Sequence, residues 1–151
     1  MRKNSLMILE SGILLFLSIG AAYSGTDDSP QPVALQADEN CDPVAIVCSA
    51  GNDDMTLNLH LAGEVRSLKP FTIELSLAGR AATTVNQVIV RFAMVGMDMG
   101  ENAFKLARQA DGTWKGQAML PVCHHGRKDW RATVETSGER LYTAAFNFQA
   151  K

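Results

Sequence analysis

The sequence predicts an all-β protein whose ordered part is a single antiparallel sandwich of about seven strands, and three observations carry that prediction. Apolar residues recur with a period of two over several runs, turn residues separate those runs at short spacing, and no long amphipathic helical pattern interrupts them. The chain has 151 residues, enough for one domain with one core once an export segment is set aside.

The first run follows Gly51-Asn52-Asp53-Asp54, where Met55, Leu57, Leu59 and Leu61 alternate with Thr56, Asn58 and His60. That alternation is what a half-buried strand requires. Phe71, Ile73, Leu75 and Leu77 repeat it against Thr72, Glu74 and Ser76, and Ala78-Gly79-Arg80 supplies the next turn. Residues Val85 to Val95 are rich in β-branched side chains, with Met94 continuing the apolar face of Val88, Val90 and Phe92. Shorter strands are expected at Ala103 to Arg108, Thr113 to Leu120, Trp130 to Thr136 and Leu141 to Gln149, with turns at Ala110-Asp111-Gly112 and Ser137-Gly138-Glu139. Trp114 and Trp130 are expected in the core or at its rim. Strands of this number and spacing point to an immunoglobulin-like sandwich over residues 55–151.

Ahead of that domain, Met1 to Ser24 has the layout of a signal peptide. Arg2 and Lys3 precede an apolar run through Ile13-Leu14-Leu15-Phe16-Leu17, and small residues at Ala22 and Ser24 suit a cut before Gly25. A retained anchor is the alternative. Export places the protein in the periplasm or outside the cell, and a retained segment would hold it on the inner membrane facing the periplasm. Residues 25–54 are polar and carry prolines, so they read as a linker.

The chain carries 14 basic and 16 acidic residues, a net charge of −2. Without Arg2, Lys3 and Glu10 the tally is 12 against 15, or about −3, which disfavours nucleic acid as a partner. Membrane contact is expected only if the N-terminal segment is retained.

Oxidising compartments favour paired thiols, and the cysteines are Cys41, Cys48 and Cys123. Cys41 and Cys48 flank the turn-prone Asp42-Pro43, so a local bridge between them is the simplest pairing. Cys123 paired to one of the others is the rival arrangement.

Unusual chemistry is confined to two Gly-bounded loops, Met94-Val95-Gly96-Met97-Asp98-Met99-Gly100 and Leu120-Pro121-Val122-Cys123-His124-His125-Gly126. Counting strand directions brings both to the same end of the sandwich. Thioether and thiolate groups favour Cu(I), and imidazole tolerates both copper states, so Met97, Met99, Cys123 and one of His124 or His125 form a candidate copper site. The competing reading is structural, with Met as a flexible core filler, Cys123 as a buried thiol, and the two histidines in a solvated turn. His60 alternates outward on its strand and reads as a surface residue. No paired C-x-x-C, H-E-x-x-H, nucleophile elbow or phosphate loop is present, so no catalytic residue is assigned and no enzyme is expected.

The run Val88 to Gly100 ending in Gly96-Met97-Asp98-Met99-Gly100, then Asp111-Gly112-Thr113-Trp114-Lys115-Gly116, then Leu120-Pro121-Val122-Cys123 and Trp130, resembles the FixH/YtkA-like group of exported proteins over roughly Leu57 to Phe148. The resemblance implies an immunoglobulin-like sandwich in a setting of copper handling or cytochrome oxidase maturation. It also implies a protein partner in copper handling or oxidase assembly. The leading expectation is therefore a periplasmic copper-binding accessory protein. A metal-free interaction module using the Met loop and Pro121 is a second reading, and a thiol-redox role for Cys123 a third.

Overall fold

A computed structural model describes residues 30–97 and 99–151. The expected export segment over 1–24 and Asp98 lie outside the described residues.

The chain forms two sheets packed face to face, and the main strands coincide closely with the alternating runs of the sequence. In β4 (Thr56–Ala62), Leu57, Leu59 and Leu61 are buried while Thr56, Asn58 and His60 face outward. In β5 (Phe71–Ala78), Phe71, Ile73 and Leu75 take the inner face. In β6 (Gln87–Met94), Val88, Val90, Phe92 and Met94 do so. The remaining long strands are β9 (Trp114–Ala118), β10 (Asp129–Ser137) and β11 (Tyr142–Gln149), whose inner faces include Trp114, Trp130, Ala132, Val134, Phe146 and Phe148.

Aromatic contacts join the two layers. Phe71 of one sheet meets Phe92 of the other edge to face, with ring centroids 5.5 Å apart, and Phe92 also contacts Phe104 and Phe148 at 6.0 Å each. Such pairs add about 0.5–1.5 kcal/mol beyond the area they bury.

Eleven strands form among the described residues, against the seven expected, and the four additional ones have two sources. First, the stretch expected as a linker contributes β1 (Val33–Ala34), β2 (Gln36–Ala37) and β3 (Cys48–Gly51). Strand structure among the described residues thus begins at Val33, ahead of residue 55. β1 pairs in parallel with β11, β2 pairs with β3, and β3 pairs with β4. The chain passes from one sheet to the other at Leu35, which is buried. Two-residue strands have no room for alternation, so their pairing leaves almost no trace in hydrophobic periodicity. Second, the strand expected over Ala103 to Arg108 divides into β7 (Ala103–Lys105) and β8 (Ala107–Arg108). β7 pairs with β6 and β8 with β9, and the crossing residue, Leu106, is buried. Gly116 makes that crossing feasible, because a Cβ there would lie 2.6 Å from the Leu106 Cδ2.

The resulting orders are β1-β11-β10-β6-β7 in one sheet and β2-β3-β4-β5-β9-β8 in the other. Every neighbouring pair except β1 with β11 is antiparallel. A single 3-10 turn, Ala81–Thr84, links β5 to β6, and no helix among the described residues is long and apolar enough to cross a membrane.

Cys41 and Cys48 are bridged, with Cα atoms 5.7 Å apart, which resolves the pairing in favour of the local bond. The bond encloses Asp42-Pro43, where the Pro43 carbonyl accepts from the Leu61 amide and so attaches the bridged loop to β4. Cys48 is fully buried.

Leu68 is the one described non-glycine residue with left-handed backbone, at φ 59°. Its amide donates to the Leu120 carbonyl at 2.9 Å, and its side chain is 64% exposed.

Two stability changes follow. Replacing Cys41 and Cys48 together with alanine should lower the unfolding free energy by about 2–3 kcal/mol, as expected for closing a loop this short, measured by denaturant titration under oxidising conditions. Leu68→Gly should leave stability unchanged or raise it by up to about 1 kcal/mol. Relief of the left-handed strain outweighs glycine's entropy cost where no buried contact is lost. A clear drop in the urea midpoint would show that the Leu68 side chain packs more than its exposure indicates.

Candidate functional site

β6 and β10 run antiparallel, with Met94 opposite Trp130. The segment leaving β6 and the segment entering β10 must therefore emerge side by side. The Met loop begins as a tight turn in which the Met97 amide donates to the Met94 carbonyl at 3.1 Å. Gly96 and Gly100 both have left-handed φ, 73° and 71°, a conformation that side chains with a Cβ rarely adopt. The chain has rejoined the sheet by Asn102, whose carbonyl accepts from the Phe92 amide at 2.9 Å. Met94 itself is core, at 2% exposure.

The second loop leaves β9 and passes through Leu120, which is fully buried. Cys123 follows, and its carbonyl accepts from the Gly126 amide at 3.2 Å, closing a turn that contains His124 and His125.

Arg127 fastens the two loops together. Its guanidinium donates to the Val95 carbonyl at 2.8 Å, and also to both oxygens of Asp129, with Nε to Oδ1 at 2.9 Å. The hydrogen bond to Asp129 raises the Arg127 pKa above its ordinary value. Attraction to Asp129 and, less strongly, to Cys123 adds to that rise. The same hydrogen bond holds the Asp129 carboxyl below its usual range. Cys123 thus lies within electrostatic reach of a cation that is itself bonded to the Met loop.

The five sequence-predicted site residues separate by burial. Met97, Met99 and Cys123 are half-buried and pack against the hydrophobic core, while His124 and His125 are exposed. Cys123 is a free thiol. Among the described residues no group of three or more His, Cys, Asp or Glu side chains gathers closely enough to hold a metal ion. Any metal-binding chemistry at this end would therefore draw on the thioethers of Met97 and Met99 and on the Cys123 sulfur. That is a soft donor set.

Sequence reasoning missed two features. The first is at the same end of the sandwich. Among the described residues the exposed large hydrophobics, Ile46, Val47, Leu68, Met119 and Val122, all lie in the loops that precede β3, join β4 to β5 and join β9 to β10. By strand direction these loops leave the same end of the sandwich as the Met loop. Isolated aliphatic residues in loops carry no periodic signal, so only the fold shows that they share one end.

The second is an open cleft of about 220 Å³ on the outer face of the six-stranded sheet, lined in part by Val47, Asn58, His60, Glu74, Asp111 and Lys115. Glu74 accepts from Lys115 Nζ at 2.9 Å and lies 3.4 Å from His60 Nδ1. The outward alternation of β4, β5 and β9 predicts solvent-facing polar residues, and the cross-strand register His60 to Glu74 to Lys115 turns them into a cluster. His60 is a surface residue, as its alternation indicates.

Comparison with known proteins finds no matching family model and no curated protein of significant similarity.

The Lys115 hydrogen bond, then that of His60, holds the Glu74 carboxyl below its ordinary value of 4.5. A lowered carboxylate pKa contributes stability that is complete above the unfolded value and is lost as pH falls through the folded one. Glu74→Gln should therefore reduce the loss of stability on acidification below about pH 4.5 and leave the profile between about pH 6 and 8 unchanged. Chemical denaturation across pH 2.5–8 measures this, and parallel curves for parent and variant would show that the Glu74 ion pairs are silent.

Proposed function

We propose that the protein is an exported copper-binding accessory protein that holds Cu(I) at the end of the sandwich where the Met and Cys loops meet. The observation that supports this most directly is the bond from Arg127 to the Val95 carbonyl, which joins the loop of Met97 and Met99 to the loop of Cys123. All three sulfur side chains pack against one core, so the folded domain restricts their positions before any metal arrives. Two thioethers and a thiol suit Cu(I), a soft cation, better than Zn(II) or Mg(II). His124 or His125 would complete the set from the exposed turn.

The resemblance to FixH/YtkA-like proteins and the immunoglobulin-like reading of the fold agree with this proposal. The two-sheet, largely antiparallel architecture supports the fold reading. The Cys41–Cys48 bridge supports an oxidising, periplasmic or extracellular setting. In that setting, copper held by the protein would pass to a partner in copper handling or oxidase assembly.

The metal-free alternative, an interaction module, draws support from Val122 and Met119, which are 46% and 43% exposed on either side of Leu120-Pro121. A competitive Cu(I) titration with the structural disulfide intact separates the two readings. The parent should bind one equivalent and gain thermal stability on loading, because a ligand that binds only the folded state stabilises it. Met97→Leu with Met99→Leu and Cys123→Ser should bind none while keeping the metal-free melting temperature. Equal, weak binding by parent and variant would remove copper from the account.

A further inference from the structure

A different part of this end combines charge with exposed apolar side chains. The β4–β5 loop and the β9–β10 loop are joined by the parallel bridge of Ser67 with Leu120 and by the hydrogen bond from the Leu68 amide to the Leu120 carbonyl. The end of the described chain binds both. The Lys151 amide donates to Val65, and the Ala150 amide donates to Lys128. These main-chain bonds hold side by side the loops that carry Leu68, Met119 and Val122, each at least 43% exposed.

Across residues 63–70, 119–129 and 150–151 there are five cations, Arg66, Lys69, Arg127, Lys128 and Lys151, against two acidic side chains, Glu64 and Asp129. Arg66 and Lys69 share Glu64, and Arg127 takes Asp129. Among the described residues Lys128 forms no ion pair with an acidic side chain, and Lys151 lies beyond ion-pair distance of Glu64 while still attracting it. The chain as a whole is acidic, at −2, so this surface opposes the sign of the rest.

Leu68 supplies an independent observation. Its left-handed backbone costs roughly 1 kcal/mol in a leucine, and the residue spends that strain on a side chain that is 64% exposed. Strain that yields no burial within the molecule points to a use outside it.

We propose that this basic, aliphatic surface docks on an anionic lipid membrane, with Leu68, Met119 and Val122 entering the headgroup boundary and the lysines meeting lipid phosphates. Charge complementarity selects the anionic surface. The exposed apolar residues are flanked by lysine, as in interfacial membrane segments. Docking here requires no apolar anchor and no metal, so it is independent of the copper proposal.

The test is co-sedimentation of metal-free protein with phosphatidylcholine vesicles, with and without phosphatidylglycerol. Two variants are compared with the parent, Leu68→Ser with Val122→Ser, and Lys69→Gln with Lys128→Gln. All share one N-terminus, whose contribution cancels in the ratio of affinities. Binding should require phosphatidylglycerol, weaken with salt, and fall about tenfold or more in each variant. Hydrogen exchange at the Leu68 amide should slow on vesicles in the parent, a readout confined to this surface. Equal binding to both vesicle types, unchanged affinity in variants that melt like the parent, or binding of soluble polyglutamate in preference to vesicles would each overturn the proposal.

Discussion

The pairing of β6 with β10 governs the arrangement of this molecule's functional end. Eight consecutive residues of each strand face one another, from Gln87 with Ser137 to Met94 with Trp130. A slip of one position would turn Val88, Val90, Phe92 and Met94 outward and expose the centre of the aromatic cluster. Burial therefore locks the register, and the locked register aligns the exit of the Met loop with the entry from the Cys loop. Arg127 then needs only to span adjacent strand ends to reach Val95. Residues 97 and 123 are distant in sequence, and the ladder brings the loops that carry them to adjacent strand ends.

The disulfide has a comparable organising role on the opposite sheet. The bridge ties the segment before β3, whose Ile46 and Val47 are exposed, to Cys48 at a fully buried position. The Pro43 carbonyl, satisfied by Leu61, extends β4's hydrogen bonding beyond its pairing with β3. Ile46 and Val47 are thereby held at the surface within the bridged loop.

The central strands were legible in the sequence because each buries one face, and burial writes itself as alternation. Leu57, Leu59 and Leu61 illustrate this, as do Phe71, Ile73 and Leu75. The same logic located the two sulfur-bearing loops at one end, since strand parity needs only the correct number of reversals between them. Three things escaped. Val33–Ala34 and Gln36–Ala37 are too short for a pattern, so residues 25–54 read as linker although part of that stretch is sheet. The break at Leu106 was invisible because a strand that changes sheets keeps its extended backbone. Arg127 was overlooked since its role depends on a carbonyl 32 positions away, and a single arginine in a polar turn carries no signal of its partner.

The two crossings, at Leu35 and Leu106, have a consequence for the protein's solubility. Each takes one continuous stretch of chain down the side of the sandwich, first as the outermost strand of one sheet and then as that of the other. All four sheet edges are thereby occupied by strands of only two or three residues. Long, flat edges recruit further strands and seed aggregation, and short edges that bend away offer too few unpaired amides to do so. The edge strands cover only part of their longer neighbours, Tyr142 and Thr143 of β11 and Ile89 to Arg91 of β6, so the edge that each sheet offers to a further strand is interrupted and changes direction along its length.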